Sequence, residues 1–316
     1  MTVISPTFSE IENAAKRIAA YAEKTPVLTS SGLNKIARTD LLFKCENFQK
    51  VGAFKFRGAC NAVFSLDDDE VKLGVATHSS GNHGAALALA GKLRGIPVHV
   101  VMPENAPAIK KQAVAGYGGK ITLCDSTLPA RESTLENVIT ETGSKLIHPY
   151  NDEIIIAGQG TTALEFLHDY PELDTIITPI GGGGLIAGTC IAARDINPDI
   201  NIIGVEPKGA DDAYQSLVKG VIVPQTNPQT IADGLLTSLG DKTFPIIQEY
   251  VETILTVSED WIIKAMRLIW ERLNIIVEPS SAVVLGALLE HPEEHIGNQI
   301  GLILSGGNAD LDHLPW

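Results

Sequence analysis

The feature that most limits what this 316-residue chain can fold into is a rhythm, in which short β-rich runs alternate with longer helical runs. DLLFKCE (40–46), LGVATH (73–78), PVHVVMP (97–103), GKITLC (119–124), DTIITPI (174–180), NIIGVE (201–206), TILTV (253–257) and QIGLILS (299–305) read as strands. Helices fit between them at 9–23, 56–65, 82–94, 106–117, 129–142, 157–169, 185–196, 258–272 and 280–290. Alternation of this kind requires parallel sheets, and strands apolar on both faces require a sheet covered on both sides. The expected class is α/β, with open, mostly parallel sheets flanked by helices. Residues 74–150, three strand–helix units closed by the short strand SKLIHP, read as a small inserted domain. Residues 1–73 and 151–316 then form the large one, with a ligand in the cleft at the carboxyl ends of the strands.

Composition excludes several functions. A net charge of −14 and a pI near 5.0 argue against a nucleic-acid partner, because phosphate neutralisation needs clustered Lys and Arg. No apolar run approaches a membrane span of about 18 residues. The N-terminal segment mixes acids and bases and lacks the pattern of a signal peptide. Cys45, Cys60, Cys124 and Cys190 form no C-x-x-C pair and lie in apolar segments, so buried free thiols are expected. A cytoplasmic protein is the simplest expectation.

The chemistry concentrates in a lysine and three glycine-rich turns. Lys55 lies between Phe54 and Phe56 in KVGAFKFRGACNAV (50–63). Burial lowers the pKa of a lysine, and a neutral lysine is a nucleophile toward carbonyls; a snorkelling side chain is the simpler alternative. THSSGNHGAAL (77–87), PIGGGGLIAG (179–188) and LSGGN (304–308) each follow a strand. Successive glycines before a helix bare N–H groups for an anion, phosphate above all. A rival reading is an NAD-dependent dehydrogenase: Gly182, Gly184 and Ala187 match G-x-G-x-x-G/A, and Glu206 ends the next strand where a ribose-binding acid would sit.

Taken together, Lys55, SSGNH, GGGG and SGGN resemble the fold-type II, tryptophan synthase β-like, pyridoxal-phosphate enzymes. More narrowly the chain resembles the serine racemases and serine/threonine dehydratases, including threo-3-hydroxyaspartate dehydratases. The likeness spans nearly the whole chain through TPVLTSS, ENFQKVGAFKFRGA, IAGQGT, VEP...ADDAYQS, TIADG and VEPSSA. It implies that Lys55 holds the aldehyde of pyridoxal 5'-phosphate and later acts as a base at Cα of a hydroxy amino acid. It implies cofactor contacts from Phe54, Asn82, Gly181, Gly182, Gly183, Gly184, Leu185, Gly234, Glu278 and Ser305, with Asn82 on the ring 3'-oxygen and Ser305 at the pyridine nitrogen. A serine there leaves that nitrogen without the countercharge an aspartate supplies, so the ring is a weaker electron sink.

Substrate contacts are implied for Ser79, Ser80, Gly81, Asn82 and His83, on a loop that opens a helix, and for Arg131, Asp233 and Thr237. Ser80 is implied as the second catalytic residue, opposite Lys55, and Arg131 as a partner for a second carboxylate. Thr237 and Tyr150 depart from the animal racemases, which have serine and asparagine there. The resemblance further implies a divalent cation (Mg²⁺, or Ca²⁺ or Mn²⁺) held by Glu206, Ala210 and Asp212, an all-oxygen set, and a homodimer. With the sequence ending at Trp316, the regulatory domain of biosynthetic threonine dehydratases is not expected. His291 and His295 are expected on the surface, and 67–70 as a solvated acidic turn.

Overall fold

A computed structural model describes residues 6–79, 81–292 and 297–316. Among these the strands are β1 (Val27–Thr29), β2 (Asp40–Cys45), β3 (Val75–His78), β4 (Val98–Pro103), β5 (Lys120–Cys124), β6 (Lys145–Leu146), β7 (Thr175–Pro179), β8 (Asn201–Pro207), β9 (Thr253–Val257) and β10 (Gln299–Leu304). They form two sheets, of order β1-β2-β10-β7-β8-β9 and β5-β4-β3-β6. Every described pairing is parallel except that of β1 with β2.

The strands expected from the sequence are present, and β1 is an addition. Its three residues are too short to show an alternation, and it serves as an antiparallel edge. Four short helices were also not foreseen: Ser31–Ala37, Asp68–Leu73, Asp212–Lys219 and Thr243–Tyr250. The first acidic residues of 67–70 do not form a bare turn. Asp67 caps helix Asp68–Leu73 by accepting from the backbone N–H groups of Asp69 and Glu70, and the Glu70 carboxylate accepts from Asp67 N.

Within the six-stranded sheet every strand but the edge strand β1 buries apolar side chains on both faces. Leu42, Ile176, Ile202 and Ile254 pack beneath helices Phe8–Ile18, Glu153–Asp169 and Gly184–Ile196. On the opposite face Leu41, Phe43, Ile177, Ile203 and Leu302 meet helices Glu259–Leu273 and Pro279–Glu290. Helix Lys55–Phe64 lies between the sheets: Phe56, Ala59 and Val63 share a core with Val75, Leu87 and Val100 of the four-stranded side.

That helix is fixed by a buried ionic cluster. Arg57, fully buried, donates to Glu46 at 2.7 and 2.8 Å and to Glu165 at 2.7 and 2.8 Å. Lys44 reaches Glu165 at 2.8 Å. Burial opposes the guanidinium charge, but the two carboxylates outweigh it and hold its pKa above the usual arginine range.

Candidate functional site

The loops after β3 and β10 border a cavity of about 670 Å³, whose wall includes Gly81, Asn82, Lys110, Gly307 and Asn308 but not Lys55 or the glycines 181–184. Lys55 stands at the first turn of helix Lys55–Phe64, reached from β10 through an antiparallel bridge between Ala53 and Gly306. The bond from Phe54 N to Ser305 O (3.0 Å) completes that junction. Lys55 Nζ donates to Pro149 O at 3.0 Å and lies 5.0 Å from the Phe54 ring centroid. Desolvation lowers its pKa to about 8, against the opposing pull of Glu278. The snorkelling alternative fails, since the amine is bonded inward to a carbonyl.

Tyr150, next to Pro149, packs on the turn where β7 runs through Gly181–Gly183 into helix Gly184–Ile196, whose first-turn N–H groups have no intrahelical acceptor. Two of these glycines are required by geometry. Gly183 has φ 88°, and a Cβ on Gly182 would lie 2.3 Å from the Tyr150 ring. Thr243 Oγ1 donates to Gly182 O at 2.9 Å, and Gly234 O closes over Gly181. Gly234 N in turn donates to Ser280 Oγ at 2.9 Å. Leu185 is buried in the core below. The cradle is thus set by packing as well as by bare N–H groups. At the foot of the cleft Ser305 Oγ is 3.1 Å from Ser281 Oγ, which donates to Gly306 O at 2.6 Å. This is a neutral hydroxyl network.

The facing loop after β3 is held differently. Ser79 Oγ accepts from Gly81 N (3.3 Å) and Gly84 N (3.2 Å), shaping the start of helix Asn82–Arg94. Ser80 lies outside the described residues. Asn82 Nδ2 donates to the Glu278 carboxylate at 3.0 and 3.3 Å. Burial, then the Asp233 charge, lifts the Glu278 pKa to about 7. His83 is buried, and desolvation, then Lys55, depresses its pKa well below the usual range, so it is neutral. His148 is pushed to about 4 by burial and by His78.

The remaining expected contacts are not gathered with equal closeness. Arg131 donates to Ser126 O at 3.0 Å on the four-stranded side and sits beside His78. Asp233 is ion-paired across the cleft with Lys110. Burial raises the pKa of Tyr150 against an opposing interaction with the Thr237 side chain, so the two departures from the animal pattern are neighbours. Sequence reading missed Lys110, which carries no motif, and Asn308, the last residue of the quoted LSGGN. Both act across the cleft, where chain spacing gives no signal.

At the far end of β8, Glu206 is fully buried and accepts from Ala213 N (3.1 Å) and Tyr214 N (2.8 Å). That engagement removes it from any role on a ribose and dismisses the dinucleotide reading. Asp212 accepts from Leu239 N at 3.3 Å through Oδ2, while its buried Oδ1 has no partner. Desolvation raises both carboxyl pKa values, that of Asp212 to about 7; at Glu206 the Asp212 charge adds to the shift. Ala210, 1% exposed, lies in the connecting turn. Two buried, mutually repelling carboxylates with an orphaned oxygen fit a cation held by oxygen donors. His291 hydrogen-bonds Thr256 O at 3.0 Å, and His295 lies outside the described residues.

Comparison with known proteins accords with this site. The family model described as pyridoxal-phosphate dependent enzyme matches residues 18–306. The chain is 52% identical over 312 residues to a serine racemase of Dictyostelium discoideum, covering 98% of this chain and 96% of that one. It is 49% identical to a β-hydroxyaspartate dehydratase of Paracoccus denitrificans, over 98% and 99% of the two chains. The crystal structure of the Dictyostelium racemase superposes with a TM-score of 0.93 at 52% identity, over 96% of this chain and 99% of that one.

Proposed function

The chain belongs to the family of pyridoxal-phosphate dependent enzymes, and within it we propose a racemase of serine that also dehydrates serine and threonine. The observation that carries this reading is the Lys55 amine, bonded inward to Pro149 O with its pKa lowered by desolvation, near the glycine-lined helix start that packs on Tyr150. Pyridoxal phosphate, when bound, supplies a conjugated ring that acidifies Cα of an attached amino acid. The N–H groups of Gly181–Gly184 and Leu185 would hold its phosphate, and Phe54 and Gly234 would pack against it. Asn82 would offer an N–H to the ring oxygen. Ser305, whose hydroxyl lies 3.1 Å from that of Ser281, would offer the ring nitrogen a neutral partner.

Lys55 holds and moves the proton at Cα on one face, its lowered pKa making the free amine a base near neutrality. Ser80 does so on the other face. Ser79, Gly81, Asn82 and His83 take the substrate carboxylate at the helix start, and Arg131, Asp233 and Thr237 bound its side chain. Residues 74–150 serve as a small domain beside a large one formed by 1–73 and 151–316. Glu206, Ala210 and Asp212 hold Mg²⁺ or a similar ion as a structural element. The four free, buried cysteines suit a reducing cytoplasm. The exposed apolar rim of Phe48, Ile109, Ile276 and Leu311 suits a homodimer.

The test is turnover of L-serine, D-serine, L-threonine and L-threo-3-hydroxyaspartate by yellow, cofactor-loaded protein. Lys55→Ala is expected to abolish every activity. Ser80→Ala is expected to suppress racemisation while sparing elimination from L-serine; racemisation that survives it overturns the two-face scheme. Turnover of hydroxyaspartate alone would reassign the chain to the dehydratases. For the cation, Mg²⁺ is expected to raise the Tm of the wild type by about 2–4 °C, as about 1 kcal/mol of binding does. Asp212→Asn is expected to lose that gain.

A further inference from the structure

The loop that delivers Lys55 has an unusual backbone. Val51 has φ 59° and Gly52 φ 69°, and a β-branched residue in the left-handed region is an outlier. Such a conformation persists where neighbours over-determine it. Here Gly52 N donates to Gln49 O at 2.8 Å and Gly307 N to Gly52 O at 2.9 Å. Asn308 Nδ2 donates to Val51 O at 2.8 Å. A Cβ on Gly52 would stand 2.6 Å from Asn308 Oδ1, so this glycine makes the space that the Asn308 amide fills.

Asn308 Nδ2 also donates to Asn82 Oδ1 at 2.9 Å. A side-chain amide has two N–H protons, and both are now spent. The consequence falls on Asn82. Its oxygen must be the accepting end toward Asn308, so its nitrogen must be the end that meets Glu278. One amide thereby ties together the loop before Lys55, the loop after β10 and the helix start that follows β3.

We propose that Asn308 is a positioning residue for the reaction: it fixes the orientation of the Asn82 amide and the register of the Lys55 loop, without itself contacting the reacting atoms. This rests on the proposed function, since it is a cofactor held on Lys55 that feels both constraints. Asn308 is exposed to the cleft, so shortening it leaves the core of the fold untouched.

The experiment compares wild type, Asn308→Ser and Asn308→Asp, each loaded with pyridoxal phosphate. Three quantities are read: the position and pH midpoint of the visible band, the cofactor Kd, and the Tm of the cofactor-free proteins. Asn308→Ser is expected to weaken cofactor binding and kcat/KM about tenfold each, the scale of a lost hydrogen bond, and to displace the band midpoint. Its cofactor-free Tm is expected to change by less than about 2 °C. Asn308→Asp, whose carboxylate repels Val51 O and Asn82 Oδ1, is expected to shift the midpoint further. A band, midpoint and Kd unchanged in both variants overturn the proposal, and so does a fall in cofactor-free Tm with the band unmoved, which marks a purely structural residue. A crystal structure of the loaded wild type in which Asn308 Nδ2 has left either acceptor overturns it independently of any variant. Wild-type protein that never turns yellow sinks the proposed function instead, and is thereby told apart.

Discussion

Two helix starts, one after a strand of each sheet, are built in opposite ways. The loop at 181–184 is packed from every side, by Tyr150, Thr243, Ile247, Gly234 and Leu235, so closely that a side chain on any of its glycines would meet a neighbour. The loop at 79–82 has room at Gly81: the nearest atoms a Cβ there would meet belong to the flexible Lys110 side chain, at 3.5 Å. Its shape comes from Ser79 and from the Asn82 bonds to Glu278 and Asn308. The first is tightly packed and suits a resident group; under the proposed function the second would take the substrate, so that each sheet would supply one loop.

The contrast can be broken by experiment. Gly182→Ala drives a methyl into the body of the Tyr150 ring. We expect it to weaken pyridoxal-phosphate binding about 100-fold, as overpacking on the scale of about 3 kcal/mol would, measured by fluorescence titration. A loss of only severalfold would mean that the cradle yields, and the contrast fails.

A smaller effect belongs to the boundary between the loops, at Glu278. Its folded pKa, about 7, lies above its ordinary value of 4.5. The protonated form therefore favours folding below pH 4.5, and that contribution is lost as pH rises through the folded value. Glu278→Gln removes the dependence. The stability of this variant relative to wild type, both without cofactor, is expected to grow between pH 5 and 6 by no more than about 1.4 kcal/mol and to level off above pH 7. Denaturant melts at each pH would show it, and a flat difference would place the carboxylate in a more polar setting than its burial implies. The smallest effect is reserved for Gly81→Ala, which should alter cofactor affinity by less than about threefold, within the usual range for a substitution that meets no obstacle.

What was legible in the sequence was what is local. Lys55 among phenylalanines, the glycine runs after strands and the alternation of strand and helix are all patterns within a few residues. The edge strand β1 was invisible because three residues carry no period. Helix Asp212–Lys219 was hidden because the acids around its start read as a cation loop, yet they also begin the helix: Asp212 opens it while Glu206 accepts its first N–H groups. Tyr150 could be singled out as unusual, but its place on Gly182 depends on how the two sheets pack. Asn308 was quoted as part of a motif with no role attached, because its partners Val51 and Asn82 lie more than two hundred positions away. The ion pair of Lys110 with Asp233 has the same origin.

The ionic cluster behind Lys55 has a consequence for when the enzyme comes to exist. Arg57 sits two residues from the amine and can leave water only once Glu46, after β2, and Glu165, on a helix far along the chain, have both arrived. Until then the segment stays hydrated and its neighbouring lysine is an ordinary protonated side chain. Under the proposed function, enhanced reactivity of Lys55 toward aldehydes would therefore be a property that the finished assembly confers, since before it closes the amine has the pKa of an ordinary lysine.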